Sequence, residues 1–323
     1  MKVIKFIFLM VISLIATTLA STGDGGYAGA FLRMGVGSRA RAMGDAYTSM
    51  ADGASSILYN PAVLSHLETR QAVVSLAFLP LDRSLDYVAF ATPLRPNVGD
   101  GSAPPMNAGL GVAWVHAGVD QIDGRSASGE HTQYYSNSEH AFYMSFSASP
   151  SKYLSFGVSG KVLYNRMAGL ERGDNPLTSS GFGIDLGLYS KPIHALTLGV
   201  AVRDIMSKYT WSTDKVYDHG TSITYDFPRI VRVAAAYQVF PDWMLLVADM
   251  ETSDKQNPRY HFGTEFAYPE LGAIRLGLDH DMLTFGLGFY LQVLGIDTRL
   301  GYAFVNGREA INADHIVSWV FDF

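Results

Sequence analysis

Large apolar residues alternate with small or polar residues along most of the chain after residue 70. The two-residue period is clearest in four segments: 153–163, 181–189, 195–203 and 282–291. In the last segment, every second residue from Leu283 to Leu291 is Leu or Phe. Successive side chains of a β-strand point to opposite faces, so each segment predicts a strand with one apolar face and one small or polar face.

The alternating segments predict fourteen strands, an even number, and most have the roughly 9–11 residues that a tilted membrane strand requires. They lie at 70–79, 85–91, 107–117, 138–149, 153–166, 179–190, 195–204, 228–239, 242–251, 259–267, 271–279, 281–291, 295–304 and 313–323. The expected fold is all-β, a 14-stranded antiparallel transmembrane β-barrel over residues 70–323. A soluble β-sandwich also alternates, so the connections and the last strand must decide between the two.

The connections differ in length between the two ends of the predicted barrel. Short turns centred on Pro150, Pro192, Pro241, Pro269 and Val293 face longer polar connections at 118–137, 167–178 and 205–227. Short periplasmic turns and long outer loops are typical of outer-membrane barrels. Two connections depart from this pattern: 92–106 is long for a periplasmic turn, and 279–281 is short for an outer loop.

The last predicted strand also favours a membrane barrel. Val317, Trp319, Phe321 and Phe323 alternate up to the final aromatic residue. Four exposed apolar residues on an edge strand would be a liability in a soluble domain. We expect this strand to face outer-membrane lipid and to be recognised by the barrel-assembly machinery.

Charged residues within the strands fall in phase with the small or polar faces. They are Lys161, Asp185, Arg203, Arg232, Glu265, Arg275, Asp297 and Arg299. A charge that faces lipid at mid-bilayer costs about 2–4 kcal/mol, so the sequence predicts a polar network of mixed sign inside the lumen. Asp249 stays unassigned, because both faces of 242–251 are apolar.

Residues 1–20 have the features of a secretory signal peptide. Lys2 and Lys5 precede the apolar stretch 6–16, and Thr18-Leu19-Ala20 is a small-residue cleavage site. An uncleaved anchor helix is the alternative, but the apolar stretch is short for one. Cleavage after Ala20 would leave 22 basic and 30 acidic residues, a net charge of −8, which argues against nucleic acid as a partner.

The composition limits the possible chemistry. The mean hydropathy is +0.11, and no run of about 20 apolar residues follows the first twenty positions, so the sequence does not predict membrane helices. Cysteine is absent, and the nine histidines show no metal-binding spacing. The sequence therefore predicts no cofactor, no metal site and no enzyme activity.

Residues 27–67 carry a recognisable motif. It comprises Phe31-Leu32, Gly35-x-Gly37-x-Arg39, Met43-Gly44, Ala51-Asp52 and Tyr59-Asn60-Pro61-Ala62. This segment resembles the opening of the PorV/PorQ family, also called UPF0164, within the FadL superfamily of outer-membrane proteins. The resemblance implies a fourteen-stranded barrel with an N-terminal plug. Gly53 departs from the family, whose members often carry an acidic residue there.

Residues 21–69 are expected to form this plug. Asn60 is suited to cap a helix that begins at Pro61, but a helix this short needs burial to be stable. The barrel lumen would provide that burial. The arginines of the segment, at 33, 39 and 41, are then expected to pair with lumen acids such as Asp185, Glu265 or Asp297.

Two functions remain open at this stage. The resemblance to PorV implies an interaction protein of type IX secretion, which handles exported cargo proteins at the cell surface. The alternative is a FadL-type channel for long-chain fatty acids or other hydrophobic small molecules, which leave the barrel sideways or past the plug. Both imply an outer-membrane location.

Overall fold

The computed structural model describes residues 26–50, 52–96, 106–168, 177–214, 219–307 and 312–323. The signal peptide predicted at 1–20 therefore lies outside the described residues. No helix in the described part of the chain is long and apolar enough to cross a membrane.

Fourteen antiparallel strands of the described residues form a closed barrel, which confirms the predicted fold class. Strands that follow one another in the ring pair with each other, and β16 pairs with β1 to close it. The barrel strands are β1 (Gln71–Leu79), β2 (Arg83–Leu94), β3 (Asn107–Arg125), β4 (His131–Ser151), β5 (Leu154–Ala168), β6 (Leu177–Ile193), β7 (Leu196–Ile205), β10 (Ile230–Phe240), β11 (Met244–Ser253), β12 (Arg259–Tyr268), β13 (Gly272–Asp279), β14 (Met282–Val293), β15 (Ile296–Val305) and β16 (Asp314–Asp322). Two further strands, β8 (Lys208–Ser212) and β9 (Ser222–Asp226), form a separate hairpin.

The β3–β4 hairpin is longer than the sequence predicts. A polar connection is expected at 118–137, but β3 continues to Arg125 and β4 begins at His131. The ladder of backbone hydrogen bonds continues there, although most side chains at 120–134 are exposed. A prediction from alternation ends where the apolar face ends, so it misses strands that extend beyond the membrane.

The alternation seen in the sequence corresponds to two chemically different faces of the wall. On β5, Phe156 and Val162 are 47% and 53% exposed, whereas Ser159 and Lys161 are buried. The exposed apolar side chains form the surface that faces lipid, and the buried polar side chains face the lumen. On β16, Val317 and Trp319 share the exposed face, and Phe323 follows the strand with 51% exposure.

The described part of the plug, residues 26–50 and 52–69, lies inside the barrel. It contains five very short helices: Ala30–Arg33, Ser38–Ala42, Gly53–Ser55, Ser56–Tyr59 and Pro61–His66. Most of its side chains are buried, and it contacts opposite sides of the wall. The Ser38 amide donates to Ser318 on β16, and Ser149 on β4 donates to Ser65 at 2.7 Å. Helices of three to six residues are not stable alone, so these contacts hold them in place.

Small residues on the wall let the plug approach the barrel closely. Gly157 faces the helix Pro61–His66, and a Cβ at this position would overlap the backbone nitrogen of Ala62. Gly160 lies three residues further along β5, and a Cβ there would meet nothing nearer than the Phe182 ring at 3.8 Å. The two glycines therefore differ in whether a side chain would meet the plug.

We predict that Gly157→Val displaces the helix Pro61–His66, because the valine and the Ala62 backbone would occupy the same space. The expected cost is about 1–3 kcal/mol, as for other overpacked sites. Faster proteolysis within residues 52–70 of the barrel in detergent would report it. Gly160→Val is the matched control, and equal cleavage rates in both variants would contradict the prediction.

Candidate functional site: the plug and its contacts with the barrel wall

Ion pairs connect the plug to the wall at three places, each built around an arginine. The first is formed by Arg39 of the plug, which lies 2.6 Å from Glu265 on β12 and 3.1 Å from Asp52. Glu265 also binds Arg275 at 2.5 Å on the neighbouring strand β13, and Asp52 binds Arg299 of β15 at 2.8 Å. Two plug residues and three wall residues thus form one chain in which positive and negative charges alternate.

The second ion pair lies near the outer rim, which is the end of the barrel opposite the β16 C-terminus. Arg41 of the plug lies 3.0 Å from Asp279 at the end of β13, and Asp314 is 3.8 Å away. His261 contacts the other oxygen of Asp279 at 3.0 Å. Arg41 and Asp279 are both nearly fully buried, so each neutralises the other in a region with little water.

The third ion pair has its arginine on the wall. Arg232 of β10 is 1% exposed and binds both Asp45 of the plug, at 2.8 Å, and Glu251 of β11, at 2.5 Å. Asp249 also faces the lumen, where it accepts the backbone N–H groups of Tyr47 and Thr48. The sequence left Asp249 unassigned, and the structure places it at the plug.

A fourth charged group belongs to the wall alone. Lys161 of β5 lies 2.8 Å from Asp185 on β6 and 2.7 Å from Asp204 on β7, and all three are buried. The Asp204 amide also donates to Asp185. β7 leaves the regular ladder at this point, where Asp204 and Met206 both have positive φ angles. The charged group holds Asp204 in place there.

The structure therefore places most of the predicted lumen residues together, with one correction. Asp297 is exposed at the start of β15, where it accepts a hydrogen bond from Gln292. It has the phase of Arg299 along the strand, but it lies at the rim and does not reach the lumen network. Phase gives the face of a strand and not the depth of a residue along it.

Of the three acids named as partners, only Glu265 pairs with a plug arginine among the described residues, and Arg41 pairs with a further wall acid, Asp279. Asp185 pairs with Lys161 of the wall, and Asp297 has no ion pair with the described part of the plug. Arg33 donates to the backbone oxygens of Tyr27 and Ala28. Arg203 donates to the Leu58 oxygen at 3.3 Å, so it contacts the plug through the backbone.

The remaining motif residues shape the plug. Phe31 and Met43 are buried in its core, and Gly35, Gly37 and Gly44 all have positive φ angles. The Asn60 side chain accepts the Ala62 N–H and caps the helix that begins at Pro61, as predicted. Its amide nitrogen also donates to the Thr48 and Leu188 oxygens, which links two plug segments to β6.

Several charged residues of the site were missed by sequence reasoning. Asp45 and Asp52 lie in the plug, and Glu251 and Asp279 lie near the outer ends of β11 and β13. Asp52 lies within the family motif, but the sequence predicts no partner for its carboxylate. Glu251 has the phase of Asp249 along its strand, and Asp279 has the phase of Arg275. This shared phase was the signal in the sequence that could have found them.

Two arginines stabilise the charge of Asp52 in the plug. Burial would raise the pKa of Asp52, but Arg39 and Arg299 together lower it well below its usual range. The Tyr47 hydroxyl also donates to it. Because the pKa of Asp52 is lower in the folded than in the unfolded protein, its ion pairs stabilise the fold fully above pH about 4. This stabilisation of the fold is lost as the pH falls further.

The wall is not paired along its whole height. β6 and β7 pair from Ile193–Leu196 up to Ile184–Ile205, and β6 then continues for seven residues to Leu177. Among the described residues, no strand pairs with this edge of β6. Phe182 on the edge is 51% exposed, so the unpaired stretch begins within the apolar surface.

The β8–β9 hairpin lies on the lumen side of this unpaired edge. Ser179 of β6 donates to the Thr210 oxygen, and a Cβ at Gly181 would overlap the Lys208 oxygen. Tyr209 of the hairpin packs edge-on against Phe227 and lies 6.1 Å from the Trp211 ring. The predicted outer loop at 205–227 is thus in part an inward-folded hairpin with an aromatic cluster.

No group of three or more His, Asp or Glu side chains in the described residues is arranged to hold a metal ion. The site is therefore described by its charges, its apolar surface and its packing.

Solved structures with this architecture exist. The P. putida toluene transporter TodX is 16% identical, and the match covers 90% of this chain and 99% of TodX with a TM-score of 0.65. The Ralstonia pickettii toluene transporter TbuX is 15% identical, with 90% and 98% covered and a TM-score of 0.58. A Pseudomonas aeruginosa FadL homologue is 10% identical, with 85% and 94% covered and a TM-score of 0.57.

These similarities define the class of the protein as a plugged, fourteen-stranded barrel of the outer-membrane type, with the fold of FadL-family channels. At such low identity they show the fold alone. No sequence family and no curated protein matches the chain. The comparisons do not show the PorV/PorQ family that residues 27–67 resemble.

We predict that Glu265→Gln loosens the plug, because it leaves Arg39 and Arg275 without their shared carboxylate. Removing one partner of a buried pair costs about 3–5 kcal/mol, and the lower end applies here since Arg39 is partly exposed. Urea unfolding of the barrel, followed by tryptophan fluorescence, measures this loss. Asp123→Asn removes an exposed pair with Arg125 and should leave stability unchanged. A Glu265→Gln variant as stable as the wild type would refute the proposed fastening role.

Proposed function

We propose that this protein is a channel for hydrophobic small molecules, with a route that leaves the barrel sideways through the wall. The observation that carries the proposal is the unpaired edge of β6 above Ile184, with the aromatic hairpin β8–β9 on its lumen side. We also propose that the protein acts as a channel without catalysis.

The plug makes a straight passage along the barrel axis difficult. Tyr59, Asn60 and Ala62 have no exposed surface, and buried ion pairs fasten the plug to β10, β12 and β13. Opening that passage would break several buried ion pairs, and each charge that stays buried without its partner costs several kcal/mol. A sideways route leaves these ion pairs intact.

Apolar molecules benefit from a sideways exit, because it delivers them into the hydrocarbon of the membrane. Removing apolar surface from water lowers the free energy by about 25 cal/mol per Å². A ligand that passes directly from an aromatic surface to lipid keeps this stabilisation, because it does not return to water. Tyr209, Trp211 and Phe227 pack together beside the gap, and an outward movement of the hairpin would offer their buried or half-buried rings to the ligand. The names of TodX and TbuX, both toluene transporters, support a ligand of this kind.

The secretion role implied by the PorV/PorQ resemblance has no support from the comparisons, which are with hydrocarbon channels and a FadL homologue. No feature of the described residues favours cargo proteins as partners. Contact with the barrel-assembly machinery stays an expectation from the last strand.

The route can be tested with engineered disulfides, since the chain has no cysteine of its own. A Cβ at Gly183 of β6 would lie 3.2 Å from the Ser207 Cβ and 2.8 Å from the Lys161 Cε, so a small shift of the Lys161 side chain brings the pair to the roughly 3.5–4.5 Å of a disulfide. We predict that the oxidised Gly183→Cys/Ser207→Cys variant loses uptake of radiolabelled toluene by cells that express it. Reduction should restore uptake, because the staple across the gap is then opened.

Two further pairs serve as controls. Ser145→Cys/Ser159→Cys staples β4 to β5 within the wall, where the two hydroxyl oxygens are 2.6 Å apart, and should leave uptake unchanged. Ser65→Cys/Ser149→Cys staples the plug to β4 and should also leave uptake unchanged if the route is sideways. Loss of uptake in the plug staple, with normal uptake in the gap staple, would show that the ligand passes the plug instead.

A further inference from the structure

A group of polar side chains lies on the outer surface of the wall, near the outer rim. Asp86 belongs to β2, His116 to β3, and Ser138 and His140 to β4. All four have the phase of the exposed apolar residues of these strands, so they face away from the lumen. Those apolar residues are Val88, Phe90, Val112, Phe142 and Met144.

The polar side chains form one continuous chain of hydrogen bonds. The Asp86 carboxylate lies 3.0 Å from His116 Nδ1, and Ser138 Oγ lies 3.2 Å from His116 Nε2. Ser138 Oγ also lies 3.0 Å from His140 Nε2. Trp114 Nε1 donates to His140 Nδ1 at 3.2 Å, and the two histidine rings stack with their centroids 4.8 Å apart.

The two ends of this chain fix the direction of every hydrogen bond when the rings are neutral. A carboxylate only accepts, so His116 Nδ1 donates to Asp86 and His116 Nε2 is left as an acceptor. The Trp114 N–H only donates, so His140 Nδ1 accepts and His140 Nε2 carries the other proton. Ser138 therefore accepts from His140 and donates its own hydroxyl proton to His116.

This arrangement of Asp86, His116 and Ser138 is that of a Ser–His–Asp triad. The carboxylate holds one imidazole nitrogen, and the other nitrogen accepts the serine proton at about the distance that a general base requires. The Asp86 and His116 side chains are 28% and 22% exposed, so a substrate can reach them from outside. The three residues lie on three strands without a local motif, which is why the sequence predicts no enzyme activity.

The depth of the triad along the wall indicates the substrate. One row nearer the membrane, Val88 pairs with Trp114 and Trp114 with Phe142, and all three have the outward phase. One row nearer the solvent lie Ser84 and Gly118. The triad thus lies where the apolar surface ends, and tryptophan is typical of this boundary. The ester bonds of a membrane lipid lie at the same boundary, between its acyl chains and its headgroup.

We propose that Asp86, His116 and Ser138 form a hydrolytic site on the outer surface of the barrel, which cleaves an acyl ester of a lipid in the surrounding membrane. Ser138 is the nucleophile, His116 is the general base, and Asp86 is a positioning residue that acts through His116. This activity goes beyond the proposed channel, in which transport itself involves no catalysis. It uses no residue of the plug or of the β8–β9 hairpin.

The reaction consumes one ester bond and one water molecule. Ser138 Oγ bonds to the carbonyl carbon while its proton passes to His116 Nε2, and the carbonyl electron pair moves onto the oxygen. The carbon–oxygen bond to the lipid alcohol then breaks, and the alcohol leaves with the proton from His116. Water attacks the acyl-serine and gives a proton to His116, the fatty acid leaves, and the proton returns to Ser138.

The negative charge on the carbonyl oxygen needs donors beside the nucleophile. The His140 Nε2–H is one such donor, since it already lies 3.0 Å from Ser138 Oγ. Arg166 is the residue that pairs with Ser138 on β5, and it is exposed on the same face. These two residues place an N–H group and a cation at the site.

Covalent labelling tests the nucleophile without assuming a particular lipid. The full chain in detergent is treated with hexadecyl fluorophosphonate, which transfers its phosphonyl group to an activated serine with loss of fluoride. We expect peptide mass spectrometry to find the label on Ser138. Ser136 lies on the same strand and face and is the matched control, so it should stay unlabelled. His116→Gln should slow the labelling about a hundredfold, because the general base is removed.

Turnover is measured in vesicles of phosphatidylethanolamine with radiolabelled acyl chains, into which the full chain is reconstituted. Ser138→Ala and His116→Gln should each lower the release of fatty acid about a thousandfold or more, and Ser136→Ala should leave it unchanged. Asp86→Asn should lower kcat by about 10⁴ and leave KM unchanged, because an amide that donates to His116 holds it in the wrong tautomer.

A purely structural hydrogen-bond chain would give a different result. The wild type would then neither take up the label at Ser138 nor release fatty acid, and either failure overturns the proposal. Release that persists in Ser138→Ala, or label that is equal on Ser136 and Ser138, would overturn it as well. The sideways route is tested separately, through the toluene uptake of the stapled variants.

Discussion

The structure depends on one constraint: hydrocarbon surrounds the barrel, so neither charges nor unpaired backbone groups are tolerated on its outer face. The strands therefore turn Lys161, Arg232 and Glu265 inward, where they are buried. A lumen lined by such groups must in turn be neutralised, and the plug supplies the complementary charges through Arg39, Arg41 and Asp45. The plug is thus as much an electrostatic requirement of this wall as a barrier within it.

Alternation in the sequence was enough to place all fourteen barrel strands, because lipid on one side and a polar lumen on the other impose a strict period of two. It was not enough for the partners of the charges. Arg39 meets Glu265 because of how far the plug folds into the barrel, which no local pattern records. Asp297 shows the same limit, since its phase was correct and its depth was not. The inward hairpin at 208–226 was hidden for a related reason, since it follows two residues with positive φ angles at 204 and 206.

The same constraint gives the unpaired edge of β6 its significance. A strand edge within the apolar surface of a membrane protein normally has a partner, yet residues 177–183 have none among the described strands on one side. The hairpin β8–β9 covers the edge from the lumen, through the contact of Ser179 with the Thr210 oxygen. The hairpin is held by hydrogen bonds and by the buried rings of Tyr209 and Phe227, whereas the plug is held by several buried ion pairs. Under the proposed sideways route, the hairpin moves and the ion pairs of the plug stay intact.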